Sequence, residues 1–133
     1  MSPDPLIQLC IFRVGGQDYA IDGRRVEELI GPLPLTRMVS WRGVLVRVAS
    51  LRALLAPEAG RVQSAGPLPV RYLLTRVGRR RVALAVDEVH RVVRVPSSAV
   101  QRERPAPFVV GTLDDVHLLD VLALLRARGE AGA

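Results

Sequence analysis

Lysine is absent: all 19 basic residues are arginine, set against 13 acidic ones for a formal net charge of +6. An all-arginine set follows more simply from codon bias than from selection for phosphate contacts. The arginines are scattered from Arg13 to Arg128, and the one run of three is Arg79-Arg80-Arg81. They therefore supply a summed field rather than a dedicated nucleic-acid face. Two Phe, two Tyr and one Trp leave few rings for stacking bases, which argues against a single-strand platform and leaves the core to aliphatic side chains. One cysteine, Cys10, lies inside an apolar run. No intrachain disulfide can form, and a core position in a reducing compartment is expected. No apolar run approaches the roughly 20 residues of a membrane span, and Met1-Ser2-Pro3-Asp4-Pro5 has neither the basic start nor the apolar stretch of a signal peptide. A cytoplasmic location is expected.

Catalytic chemistry is equally scarce. Gly15-Gly16 lies between two short β runs rather than between a strand and a long helix, so no phosphate loop is present. His90 and His117 stand apart from cysteine or carboxylate at ligand spacing, which predicts no metal site. Ser40, Ser50, Ser97 and Ser98 occupy turn or cap contexts without a nucleophile motif. The adjacent pairs Asp87-Glu88 and Asp114-Asp115 point to opposite faces of a strand or sit in a turn, which does not make an acid/base couple. No enzymatic activity and no cofactor are expected.

What is present is a repeat. The 133 residues, 49% hydrophobic and 24% charged, suit one folded domain or two very small ones. Laid on itself at an offset of 63, the chain aligns Arg13-Val14-Gly15 with Arg76-Val77-Gly78, Ala20-Ile21 with Ala83-Leu84, and Val26 with Val89. Further on, Ser50 to Leu55 falls on Asp120 to Leu125 at an offset of 70, so the second half carries seven more residues. Residues 57–69, rich in Pro, Gly and Ala, form the linker between the halves.

Each half opens with a β-hairpin. Leu9 to Val14 and Tyr19 to Ile21 flank Gly15 to Asp18, while Tyr72 to Val77 and Val82 to Val86 flank Gly78 to Arg81, which places the arginine run at a solvated tip. Asp22 is expected to cap a short helix with Val26, Leu29 and Ile30 on one face. Its counterpart, Val86 to Val95, is expected to be a helical turn running into a strand. Trp41-Arg42-Gly43 then leads into the strand Val44 to Val48, and Val109 to Leu113 turns through Asp114-Asp115 into Val116 to Leu119. Ser50 and Asp120 cap closing helices. The fold class expected is all-β with short helices: two small barrels in a single domain 1–133, with subdomain one at about 6–56, subdomain two at about 70–126, and a flexible tail at 127–133. Neither half holds enough apolar area to stand alone, so the two should unfold together.

The run Leu9 to Asp22, with Val26-Glu27-Glu28-Leu29 after it, closely resembles the opening of CheW-like domains. Pro34-Leu35-Thr36-Arg37-Met38, Arg42-Gly43-Val44-Leu45-Val46, Leu51-Arg52 and Val82 to Val89 continue the family's order across nearly the whole chain. The resemblance implies two intertwined SH3-like barrels and a non-enzymatic signalling adaptor between methyl-accepting chemoreceptor tips and the regulatory domain of a CheA-type histidine kinase, associated with receptor clusters. It matches Val26, Glu28 and Arg42 to receptor-binding positions. Only Val39-Ser40-Trp41 stands between Met38 and Arg42, where the family carries roughly ten residues more, about two short strands' worth of chain or one strand with its loop. Ser50 also replaces the family's usual aspartate. The first barrel is thus expected to be abridged, as in divergent shortened relatives of the myxobacterial Frz type, with kinase coupling weakened or lost. The alternatives are a full receptor–kinase coupling protein and an arginine-rich nucleic-acid-binding double barrel.

Overall fold

The computed structural model describes residues 4–55, 69–104 and 108–127. They form strands β1 (Leu6–Val14), β2 (Gln17–Asp22), β3 (Val26–Leu33), β4 (Met38–Trp41), β5 (Val44–Ser50), β6 (Val70–Val77), β7 (Arg80–Val86), β8 (Glu88–Pro96), β9 (Val109–Leu113) and β10 (Val116–Leu119). Two short helices, α1 (Leu51–Leu55) and α2 (Val121–Ala127), follow β5 and β10. Both have the expected caps: the Ala53 N–H donates to Ser50 Oγ at 3.4 Å and the Ala123 N–H to Asp120 Oδ1 at 3.0 Å. The β4–β5 turn places Arg42 and Gly43 at φ 50° and 79°, the paired positive values that match the twist of a two-residue hairpin. The linker assigned to 57–69 lies outside the described residues except for Pro69, and so does the tail assigned to 127–133 except for Ala127.

A segment expected to be helical, and the helical turn expected at the start of Val86 to Val95, are extended. Asp22 caps only a 3-10 turn, Gly23–Arg25, by accepting the Arg24 N–H at 3.0 Å. From Val26 the chain runs as β3 along β6, so the helical face of Val26, Leu29 and Ile30 does not form. The stretch after Val86 is likewise the strand β8, paired with β1 over nearly its whole length. Ladder pairing and β-branched side chains outweigh the weak local helix signal in both.

The strands make two curled five-stranded sheets, ordered β8-β1-β2-β10-β9 and β3-β6-β7-β5-β4. With β1 to β5 matched in turn to β6 to β10, the two orders are the same, and each contains one parallel pair, β2 with β10 and β7 with β5. Each sheet takes a hairpin from one half of the repeat and three strands from the other. Subdomain boundaries at 6–56 and 70–126 therefore cut across both sheets. The physical reason lies in the crossings. Asp87 is the sole residue between β7 and β8, whereas even the tightest common hairpin loop needs two, so β8 cannot fold back on β7 and joins the other sheet. The sheet holding the short Met38–Arg42 stretch still has five strands, with β4 four residues long.

This exchange explains why the strands alternate so weakly. Leu9 and Ile11 fill the first sheet's interior with Ala20 and Leu118. Their neighbours Cys10 and Phe12 face the other way, into a core shared with Leu73 and Leu84 of the second sheet and with Leu51, Leu54 and Leu124 of the helices. Tyr72, Leu74, Ala83 and Ala85 turn into the second sheet's interior with Val39, Trp41 and Val46. Burial also pushes the Cys10 thiol pKa up. Asp87 fastens the crossing: its Oδ2 accepts the Gly15 N–H at 2.8 Å and lies 2.5 Å from Arg52 Nη2, and its own N–H donates to the Arg13 carbonyl at 3.0 Å.

Candidate functional site

A cavity of about 460 Å³ opens where the two sheets meet the start of α2. Ile21, Val77, Leu119 and Leu122 give it apolar walls, and Asp22, Arg25 and Asp120 are the charged members of its lining. A second hollow of about 210 Å³ shares Ile21, Asp22, Val110 and Leu119 with the first and continues to Leu9 and Leu118 in the first sheet. Burial pushes the Asp22 carboxyl up, but hydrogen bonds from the Arg24 guanidinium and backbone N–H outweigh it and hold the pKa below the ordinary aspartate value. An apolar trough with charges of both signs suits one face of an amphipathic helix about 10 Å across.

Val26 stands beside this trough. It is half-buried against the inter-sheet core and pairs with Thr75, which also lines the cavity. Glu28 is exposed on the edge strand β3, and Arg42 is exposed in the β4–β5 turn at the sheet's other edge. Neither forms an ion pair with a described residue. The two edges are joined by residues that sequence reasoning missed. A register shift between Val26 and Glu28 takes Glu27 out of the ladder and re-aims it. The Glu27 carboxylate accepts from Arg81 Nε at 2.9 Å and lies 3.7 Å from Arg76 Nε. Arg81 Cζ is 4.9 Å from the centre of the Trp41 ring, and Arg42 Cζ is 4.7 Å from it. Arg81 is therefore an exposed strand residue of β7 held by these contacts, and the hairpin turn itself is Gly78-Arg79. The one signal available beforehand was a lone tryptophan abutting an Arg-Gly turn.

Other polar clusters are structural in character. Asp18 accepts from Arg13 Nε at 3.0 Å and lies 3.1 Å from His90 Nε2, and the Arg13 bond first and then His90 hold its pKa below the usual carboxylate range. His117 packs edge-on to Tyr19, with ring centres 5.9 Å apart. Among the described residues no group of three or more His, Cys, Asp or Glu is placed to hold a metal ion, and no helix is long and apolar enough to cross a membrane.

The family model for the CheW-like domain matches residues 8–129. The probable chemotaxis protein CheW of Rhizobium etli is 25% identical over 123 residues, covering 88% of this chain and 77% of that protein. The chemotaxis protein CheW of Klebsiella aerogenes is 27% identical over 123 residues, covering 88% of this chain and 72% of its own. Among solved structures, the scaffolding protein TtCheW from Thermoanaerobacter tengcongensis superposes with a TM-score of 0.71 at 17% identity, over 94% of this chain and 89% of that one.

Proposed function

Since the chain belongs to the CheW-like family, whose members are scaffold adaptors of chemotaxis rather than enzymes, we propose that it binds the helical cytoplasmic tip of a chemoreceptor in the inter-sheet trough, with Val26, Glu28 and Arg42 as its contacts. One observation carries the reading: the Glu27–Arg81–Trp41 link ties the β3 edge that holds Val26 and Glu28 to the turn that holds Arg42, and Val26 pairs with Thr75 in the wall of the apolar trough. Val26 supplies apolar contact, and Glu28 and Arg42 offer one charge of each sign with no ion-pair partner among the described residues to give up. In a receptor cluster the protein acts as a linker or modifier. Its coupling to a CheA-type kinase is weak, because β4 offers only four residues of free edge, about 13 Å of strand at 3.3 Å per residue. Stable interfaces bury on the order of 1,200 Å² or more.

Calorimetric titration with a soluble receptor-tip fragment tests the site. Glu28→Arg and Arg42→Glu should each weaken binding about tenfold or more with little change in melting temperature, since both side chains are exposed. Unchanged affinity in both folded variants removes the assignment. Titration with the kinase's regulatory domain tests the coupling, and micromolar or tighter binding would show that the short edge suffices. A nucleic-acid role requires arginines free on one face. Five of the 19 arginines, Arg13, Arg24, Arg52, Arg76 and Arg81, pair with carboxylates, and nucleic-acid binding through the rest would show as affinity that collapses as salt rises.

A further inference from the structure

Arg81 occupies an unusual place for a residue of an arginine run. In β7 it shares a face with Ala83 and Ala85, whose side chains are buried in the second sheet's interior, and so it sits at the mouth of that interior. The ladder of this sheet ends at β3 on one side and β4 on the other, and those two edges are not hydrogen-bonded to each other. Arg81 reaches both: its Nε donates to Glu27 of β3 at 2.9 Å, and its guanidinium lies over Trp41 of β4. Trp41 is 9% exposed, and its Nε1 has no hydrogen-bond partner among the described residues. The ring is thus fixed by packing and by guanidinium contact rather than by its own polar atom. Next to it, Arg42 holds a left-handed φ of 50°, uncommon for a residue with a Cβ, and its guanidinium lies over the same ring.

We propose that Arg81 is a positioning residue for receptor binding: by bridging Glu27 and Trp41 it sets the Val26–Glu28 edge and the Arg42 turn in one fixed relation. The proposal rests on the receptor reading above and adds a residue that need not touch the receptor. An isolated Arg42 turn could rock about its hairpin, whereas a turn stacked on a ring that is itself tied to β3 presents its charge at one distance from Glu28. A lysine cannot replace Arg81, because an ammonium lacks the planar fork that donates to a carboxylate while stacking on an indole.

The test combines binding with the fluorescence of the single tryptophan. Wild type, Arg81→Met, Arg81→Lys, Arg42→Glu and the Arg81→Met/Arg42→Glu double variant are titrated with a soluble chemoreceptor-tip fragment, melted, and quenched with acrylamide. Arg81→Met is expected to weaken binding about tenfold, as loss of a cation–π and charge-assisted contact implies, and to make Trp41 more accessible to the quencher. Arg81→Lys should restore little of either. The double variant should bind no more weakly than Arg42→Glu alone, since Arg81 acts through Arg42. Unchanged affinity in Arg81→Met, or additive losses in the double variant, overturns the proposal while leaving the receptor site standing. If Arg42→Glu and Glu28→Arg themselves leave affinity unchanged, the site reading fails and the proposal falls with it. Should Arg81→Met not fold, Glu27→Gln loosens the same bridge from its other end, and undiminished affinity there overturns the proposal equally.

Discussion

Removing the Asp87 carboxylate should loosen the joint between the sheets. It is the only residue between β7 and β8, and its Oδ2 takes both the Gly15 N–H at 2.8 Å and Arg52 at 2.5 Å. A hydrogen bond to a charged group contributes about 1.5–3 kcal/mol. The ion pair, with side chains 29% and 26% exposed, is only partly shielded from water and adds about 1 kcal/mol or less. Asp87→Ala should therefore cost about 2–4 kcal/mol, and at roughly 4 °C per kcal/mol for a chain of this size the melting temperature should fall by about 8–16 °C. Asp87→Asn, which keeps the shape and an acceptor oxygen, should lose less. Arg52→Met combined with each variant in a thermodynamic cycle should give a coupling of about 1 kcal/mol. Circular dichroism melts and urea titrations supply the numbers. Because the core common to both sheets spans this joint, every variant should still unfold in one transition. A melting temperature within about 2 °C of wild type for Asp87→Ala would refute the claim that the carboxylate holds the crossing, given the contribution assigned to its hydrogen bond. A split transition would refute the shared core.

Expressed separately, residues 1–60 and 61–133 should both remain unfolded, since each sheet draws strands from both halves; a cooperative melt in either fragment would contradict this. Asp18, whose pKa Arg13 and then His90 lower, stabilises the fold fully above its unfolded value of about 4 and loses that contribution as pH falls through the lower folded value. Asp18→Asn should therefore show a shallower fall in melting temperature below about pH 4 than wild type, and parallel curves would refute the assignment. At Gly111 a Cβ would meet Val100 Cγ1 at 2.7 Å and the Gln101 carbonyl oxygen at 2.9 Å, beside a bridge in which Gln101 and Thr112 exchange hydrogen bonds of 2.8 Å. Gly111→Ala should cost about 1–3 kcal/mol in urea titration, and a neutral result would show that the 101 segment can move aside.

The hairpins at Gly15-Gly16 and Asp114-Asp115 and the caps Ser50 and Asp120 were legible in the order of residues, because each depends on neighbours a few positions away, while the repeat showed in the chain's match to itself and the aliphatic core in its composition. The apolar run Leu9 to Phe12 suits a strand buried on both faces, and all four residues are buried. The run did not say against what, since a strand's pattern specifies which faces are covered and not which strand lies alongside. The exchange of strands between sheets was decided by the crossing at Asp87 and by pairing between residues 35 or more positions apart. The same holds for β3: locally, Asp22 followed by Val26, Leu29 and Ile30 suits a helix, and only the ladder to β6 extends it. At the proposed receptor site, Val26, Glu28 and Arg42 could be named from resemblance alone, but Glu27, Trp41 and Arg81 could not. Their roles arise from a ladder irregularity and from two sheet edges meeting in space. Such contacts leave no periodicity in the chain, because they depend on the tertiary path and not on spacing.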